Sequence, residues 1–230
     1  MARWAIVAEV VGFVALALLL RYAMSFFFWR FAGPVSLVAM LGLITVYLRT
    51  RGLDWRDMGM RALPGIKAKL LVLPQVLLTG IAFFATVALV LKGGPALGLD
   101  FIGQVPDTVP GRWGNLEGNV PLLLLWLAIA WTAAAFGEEM FFRGYLITRL
   151  QTAFADIRWG VVLAVVLPAM LFGYGHYYYQ GLSGLVVTGA IGLTLGVMFL
   201  VFRRSLWPVI IWHGLIDSFA FTATFLNLDV

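Results

Sequence analysis

Residues 120–146 read VPLLLLWLAIAWTAAAFGEEMFFRGYL. A helix of this length crosses the roughly 30 Å apolar core of a bilayer at about 1.5 Å per residue. Its second half nevertheless carries Glu138, Glu139 and Arg143. The remainder of the chain decides between a soluble and a membrane setting. Of 230 residues, 62% are apolar and 12% charged, with a mean hydropathy of +0.96. That is about half the charged fraction of a soluble domain, too little to cover a globule of this size, whereas lipid solvates apolar surface directly.

Further apolar runs flank this one at Ala5 to Leu20 (continuing past Arg21 to Trp29), Pro34 to Leu48, Leu70 to Leu91, Val161 to His176, Leu185 to Phe202 and Leu206 to Phe225. The expected fold is all-α, a polytopic transmembrane helix bundle of about seven helices, the length allowing six to eight. Residues 1–230 form a single integral-membrane domain. The aromatic continuation after Leu20 lacks a small-residue cleavage site, which favours a retained first helix over a signal peptide.

Basic residues alternate between connections as the positive-inside rule requires. Arg3, Arg49, Arg51, Arg56, Arg61, Lys67, Lys69, Arg149, Arg158, Arg203 and Arg204 fall on one side, and Arg21, Arg30, Lys92 and Arg112 on the other. This predicts a cytoplasmic N-terminus and a C-terminus outside. The net charge of +5 therefore serves topology rather than nucleic-acid binding, and no phosphate-cradling glycine loop suggests a nucleotide. The chain has no Cys, which removes disulfides, thiolate zinc sites and thiol nucleophiles. Residues 92–119, rich in Gly and Pro, are either a lid over a site or a surface loop. The glycines of helix six, with Gly192 and Gly196 in a GxxxG pattern, point to close helix packing. Ser205 and Pro208 mark the start of helix seven by capping chemistry.

Ionisable groups inside spans are functional candidates because insertion penalises them. Here they are Glu9, Glu138, Glu139, Arg143, His176, His213 and Asp217, and they include both histidines of the chain. Positions four apart share a helix face. Glu139 and Arg143 can thus neutralise each other as a structural pair, leaving Glu138, about 100° around an α-helix, free. His213 and Asp217 share a face, as do Phe172 and His176. Glu9 reads as an interfacial or bundle-facing acceptor, and Tyr177, Tyr178 and Tyr179 as an aromatic belt. A buried carboxylate beside imidazoles suits removal of a proton from water, and a histidine on a neighbouring helix can donate to an oxyanion. The reaction class this suggests is hydrolysis, with His213 as the oxyanion donor. G-x-S-x-G and H-E-x-x-H are both absent, which excludes those serine and zinc signatures.

Glu138-Glu139-Met140-Phe141-Phe142-Arg143, Phe172-Gly173-Tyr174-Gly175-His176 and His213-Gly214-Leu215-Ile216-Asp217 resemble the E-E-x-x-x-R, F-x-x-x-H and H-x-x-x-[N/D] motifs of the CAAX protease and bacteriocin-processing family of intramembrane endopeptidases. The resemblance covers roughly residues 126–221. It implies that Glu138 and His176 activate water, that Glu139 and Arg143 hold the site, and that His213 and Asp217 bind the oxyanion or position substrate. Members are described as metalloproteases or as glutamate-type proteases, so Glu138, His176 and His213 can also be read as a zinc triad with no other cofactor needed. The family often has Asn where this chain has Asp217. An anionic Asp217 cannot donate to an oxyanion, so it is either protonated or orients His213.

The expected activity is cleavage near the terminus of a membrane-embedded or lipidated protein or peptide. The competing readings are a non-catalytic membrane scaffold and a proton-coupled transporter, the latter disfavoured by the lack of an inverted repeat. A short chain without extra domains suits a prokaryotic plasma membrane. Depth poses one difficulty. Counted from the nearest basic residues, Glu138 lies about 17 Å in, His213 about 14 Å and His176 about 27 Å, so helix five is expected to tilt, kink at Pro168 or begin along the interface.

Overall fold

The computed structural model describes residues 3–104 and 108–228. Every regular element among them is helical: α1 (Arg3–Phe28), α2 (Ala32–Thr50), α3 (Gly65–Ala96), the short α4 (Thr108–Trp113), α5 (Val120–Ala153), α6 (160–180), α7 (182–201) and α8 (Trp207–Phe225). Six segments are long and apolar enough to cross a membrane, and one of these, Gly160–Val201, has 42 residues. That segment is a hairpin. At Gly181 the backbone takes φ 62°, ψ −157°, a region open essentially to glycine alone. In a continuous helix Gly173 and Gly189 would stand about 24 Å apart. Instead, a Cβ built on Gly173 would lie 3.0 Å from the Gly189 Cα and collide with the Leu185 carbonyl oxygen. Helices α6 and α7 are therefore antiparallel and in backbone contact, which gives the seven long helices expected.

The glycines on this seam are structural. Gly192 faces Ala169 and Phe172, and Gly196 faces Val165 and Ile147. Replacement of Gly173 by Ala sets a methyl group against backbone rather than a yielding side chain, and we expect a loss of about 1–3 kcal/mol. Thermal unfolding in detergent checks this. Gly12→Ala, where nothing lies within 4 Å of the new methyl, should leave the midpoint unchanged.

Helix α5 sits at the centre because its small residues admit close neighbours. On one side Phe141 and Tyr145 pack with Met40, Ile44 and Leu48 of α2; on the other, Ala135, Met140 and Ile147 pack with Leu195, Phe199 and Val209 of α7 and α8. A Cβ at Gly144 would come within 3.1 Å of the Met58 carbonyl oxygen and 3.2 Å of Leu206. The connection after α2 and the start of α8 therefore close beneath α5. Leu and Phe side chains on α1 and α3 stay exposed, as lipid-facing positions should.

The two ends of the bundle are distinct. Arg3 donates to the Ala153 carbonyl (3.1 Å) and pairs with Asp156, Arg204 donates to the Asp57 carbonyl (2.9 Å), and Trp207 to that of Arg61 (2.8 Å). At the opposite end Tyr178 donates to the Trp29 carbonyl (3.1 Å) and the Gly118 amide to that of Phe225 (3.1 Å). The start of α1 and the end of α8 thus lie on opposite faces, as an odd number of crossings requires.

Three sequence expectations need correction. Arg149 is not in a loop after a helix ending near Leu146. Helix α5 continues to Ala153, and Arg149 is buried, giving Nε and Nη2 to Glu9 at 2.8 and 2.7 Å. Glu9 also accepts from the hydroxyls of Tyr47 and Tyr145, both at 2.8 Å, so it faces the bundle and pins α1, α2 and α5 together. Ser205 does not cap α8: Leu206 occupies the N-cap with no side-chain bond, and Pro208 lies in the first turn. Tyr179 is no belt residue. Tyr177 and Tyr178 are exposed, but Tyr179 is buried and turned into the bundle.

Candidate active site

The middle of α5, Ala130–Ile147, is wound in π-type turns, with hydrogen bonds one residue longer than in an α-helix. The wider winding reduces the angle between successive side chains below 100°. It still brings Arg143 to Glu139: Nη1 donates to Oε1 at 2.9 Å, with the two residues 1% and 0% exposed. Arg143 Nη2 donates across to the Gly192 carbonyl on α7 at 3.2 Å, and its guanidinium lies 4.6 Å from the centre of the Phe172 ring. A buried charge is tolerable only when so compensated.

Glu139 has a second partner, which spacing alone did not reveal. His213 Nδ1 lies 2.8 Å from Glu139 Oε1. A carboxylate only accepts, so Nδ1 carries the proton and His213 Nε2 is directed away from Glu139. Asp217 Oδ2 stands 3.6 Å from that Nε2, beyond hydrogen-bond length. The group that orients His213 is thus Glu139 on α5, with Asp217 beside the free nitrogen. Helix α8 reaches this position because Gly214 lets the Trp131 ring lie where a Cβ would be 2.6 Å away, and Trp131 Nε1 donates to Ser218 Oγ at 3.0 Å.

His176 is fixed from its own helix. Its Nδ1 is 2.8 Å from the Phe172 carbonyl, and the Phe172 ring centre is 4.7 Å away. A carbonyl cannot donate, so Nδ1 again holds the proton and Nε2 presents a lone pair in the neutral ring. Glu138 accepts no hydrogen bond from any described side chain or amide. Its carboxylate lines a cavity of about 400 Å³ together with His176, His213 and Asp217. The walls are mostly apolar and include Leu18, Leu37, Phe83 and Phe142. Six of the seven ionisable residues singled out from sequence are thus brought together, with Glu139 and Arg143 packed behind the wall, while Glu9 lies apart with Arg149.

The expected conflict in depth disappears because its reference points were wrong. Arg149 lies inside the bundle with Glu9, so measuring from it placed Glu138 too close to the membrane edge. From the ends of their own helices, at Ala153 and Gly160, Glu138 and His176 are about equally deep. Helix α8, for its part, starts at the level of Gly144, against which Leu206 packs.

Within the segment 92–119, helix α4 meets the far end of the cavity, where its Arg112 and Trp113 join the lining with Arg21 of α1. Sequence reading treated Arg21 and Arg112 only as topological charges. Nothing in the spacing of a short helix within an irregular loop signals otherwise. Residues 105–107, and Asp107 with them, lie outside the described residues.

Among the described residues no three His, Asp or Glu side chains are grouped as metal ligands. His176 and His213 each hold Nδ1 on a protein acceptor and keep Nε2 open, an arrangement that metal-ligating histidines also adopt, so the reading of Glu138, His176 and His213 as a zinc triad is decided by chelation.

Comparison with known proteins finds a likeness to one family. Searches of curated proteins and of solved structures return no match. Residues 120–219 match the family described as Rce1-like, type II CAAX prenyl endopeptidase Rce1-like. The segment carrying all six site residues is therefore similar to the Rce1-like type II CAAX prenyl endopeptidases, a protease family, and the apolar helices around it make the chain an integral membrane protein.

Proposed function

We propose that this protein is an intramembrane endopeptidase that hydrolyses a peptide bond near the terminus of a membrane-embedded or lipidated protein or peptide, using water activated by Glu138. The observation that carries this reading is the division of labour between adjacent carboxylates. Glu139 accepts from both Arg143 and His213 at Oε1, while Glu138 is unbonded among the described residues and lines the cavity with His176.

Glu138 takes a proton from a water that His176 Nε2 helps to orient, and the resulting hydroxide attacks the scissile carbonyl carbon. With Nδ1 held by Glu139, His213 presents Nε2 to the developing oxyanion. It donates there when the ring carries both protons, with Glu139 and Asp217 as flanking countercharges. The amide C–N bond then breaks and the proton held by Glu138 passes to the departing amine. Every step uses the chain's own side chains, and no nucleotide or organic cofactor takes part. Following the positive-inside rule, we place the basic end of the bundle, which holds the start of α1, in the cytoplasm, and we take the membrane to be a prokaryotic plasma membrane.

The test is cleavage of internally quenched apolar peptides by the purified protein in liposomes. We expect turnover that persists with a zinc chelator and is lost in Glu138→Ala and His176→Ala. Turnover persisting in Glu138→Ala would remove the assignment of the base, and loss of turnover on chelation would restore the metal reading.

A further inference from the structure

We propose that Arg21 and Arg112 form a carboxylate-binding subsite that holds the free C-terminus of the peptide substrate; this rests on the protease reading above. Arg112 is 9% exposed, its Nε has no hydrogen-bond partner, and it lines the cavity. Among the described residues its guanidinium lies over ring faces, with Tyr179 at 4.3 Å and Trp113 at 5.3 Å. Arg21 lines the same cavity from α1, giving Nη1 to the Gly175 carbonyl at 2.6 Å and lying 4.3 Å from the Tyr178 ring. No described carboxylate lies within 4 Å of either guanidinium. Two cations facing one apolar-walled cavity repel each other and lack the partner that buried charges normally keep. A ligand carboxylate supplies it, and guanidinium binds carboxylate through paired hydrogen bonds.

The subsite is adjacent to the proposed chemistry. Gly175, which Arg21 holds, directly precedes His176, and the Tyr179 ring that carries Arg112 is centred 5.8 Å from the His176 ring. A peptide anchored here by its terminal carboxylate has a bond only a few residues upstream presented to Glu138. A lipid phosphate is the competing occupant. It carries a single negative charge, as a carboxylate does, and the binding experiment separates the two.

Binding tests this without requiring turnover. Glu138→Gln protein in phosphatidylcholine nanodiscs is titrated with a dansylated apolar tetrapeptide bearing a free carboxylate, and with its C-terminal amide. We expect the acid to bind about tenfold or more tightly, a difference of about 1.4 kcal/mol or more. Arg112→Gln and Arg21→Gln should bring the two probes together, and Arg112→Lys should retain part of the preference. Equal binding of acid and amide would overturn the proposal, as would a preference that survives the double Arg21→Gln, Arg112→Gln variant. So would a preference abolished by phosphatidylglycerol in the nanodisc, which would assign the guanidiniums to lipid. A carboxylate preference in protein that cleaves nothing would uphold the subsite while refuting the protease reading.

Discussion

Glu138→Gln should lower proteolytic turnover by about 10²–10⁴-fold, the usual contribution of a positioned general base, while leaving the thermal unfolding midpoint in detergent where it is in the parent protein. The amide keeps the shape of the carboxylate and removes only its capacity to take a proton from water. Stability should hold because Glu138 makes no hydrogen bond among the described residues, so the substitution breaks nothing that packs the helices. Steady-state cleavage of a quenched peptide, paired with a melting curve, reads both quantities. Turnover within a few-fold of the parent would show that proton removal lies elsewhere. A midpoint lowered by many degrees would show that Glu138 has a structural role after all.

Arg143→Met should behave in the opposite way. Its loss leaves the Glu139 carboxylate, 0% exposed, without its principal countercharge and strips the Gly192 carbonyl of its cross-helix donor. Breaking a buried ion pair from one side costs about 3–5 kcal/mol. The protein should therefore accumulate poorly in membranes and melt early. Glu139→Gln combined with Arg143→Met should recover much of that stability, because no unpaired charge remains and the Gln side-chain oxygen can still accept from His213 Nδ1. A single Arg143→Met protein that accumulates and melts normally yet cleaves nothing would move Arg143 from positioning into direct contact with substrate.

These two residues also mark how far the sequence could be read. The apolar runs gave all seven helices, because a lipid-spanning helix is set by local composition. The pairing of Glu139 with Arg143 followed from their spacing, since neighbours on one helix require no knowledge of the fold. What escaped depended on contacts between distant segments. Arg149 looked like a membrane-edge charge because the sequence does not show that Glu9, on α1, lies against it. The Glu139–His213 bond joins α5 to α8, and neither helix announces the other. Tyr179 sits beside two exposed tyrosines in the same run and differs from them only in the face it presents. The π-type winding of α5 likewise has no local signature that the i, i+4 rule could have detected.

The central claim is hydrolysis of peptide bonds within the membrane at Glu138. Mass spectrometry of peptide termini tests it most directly, comparing membranes of cells that carry the parent protein with membranes of cells that carry Glu138→Gln at matched abundance. The account expects new termini in the parent membranes alone, lying close to the C-terminal ends of membrane-associated proteins or peptides. An identical set of termini in both membranes would contradict it.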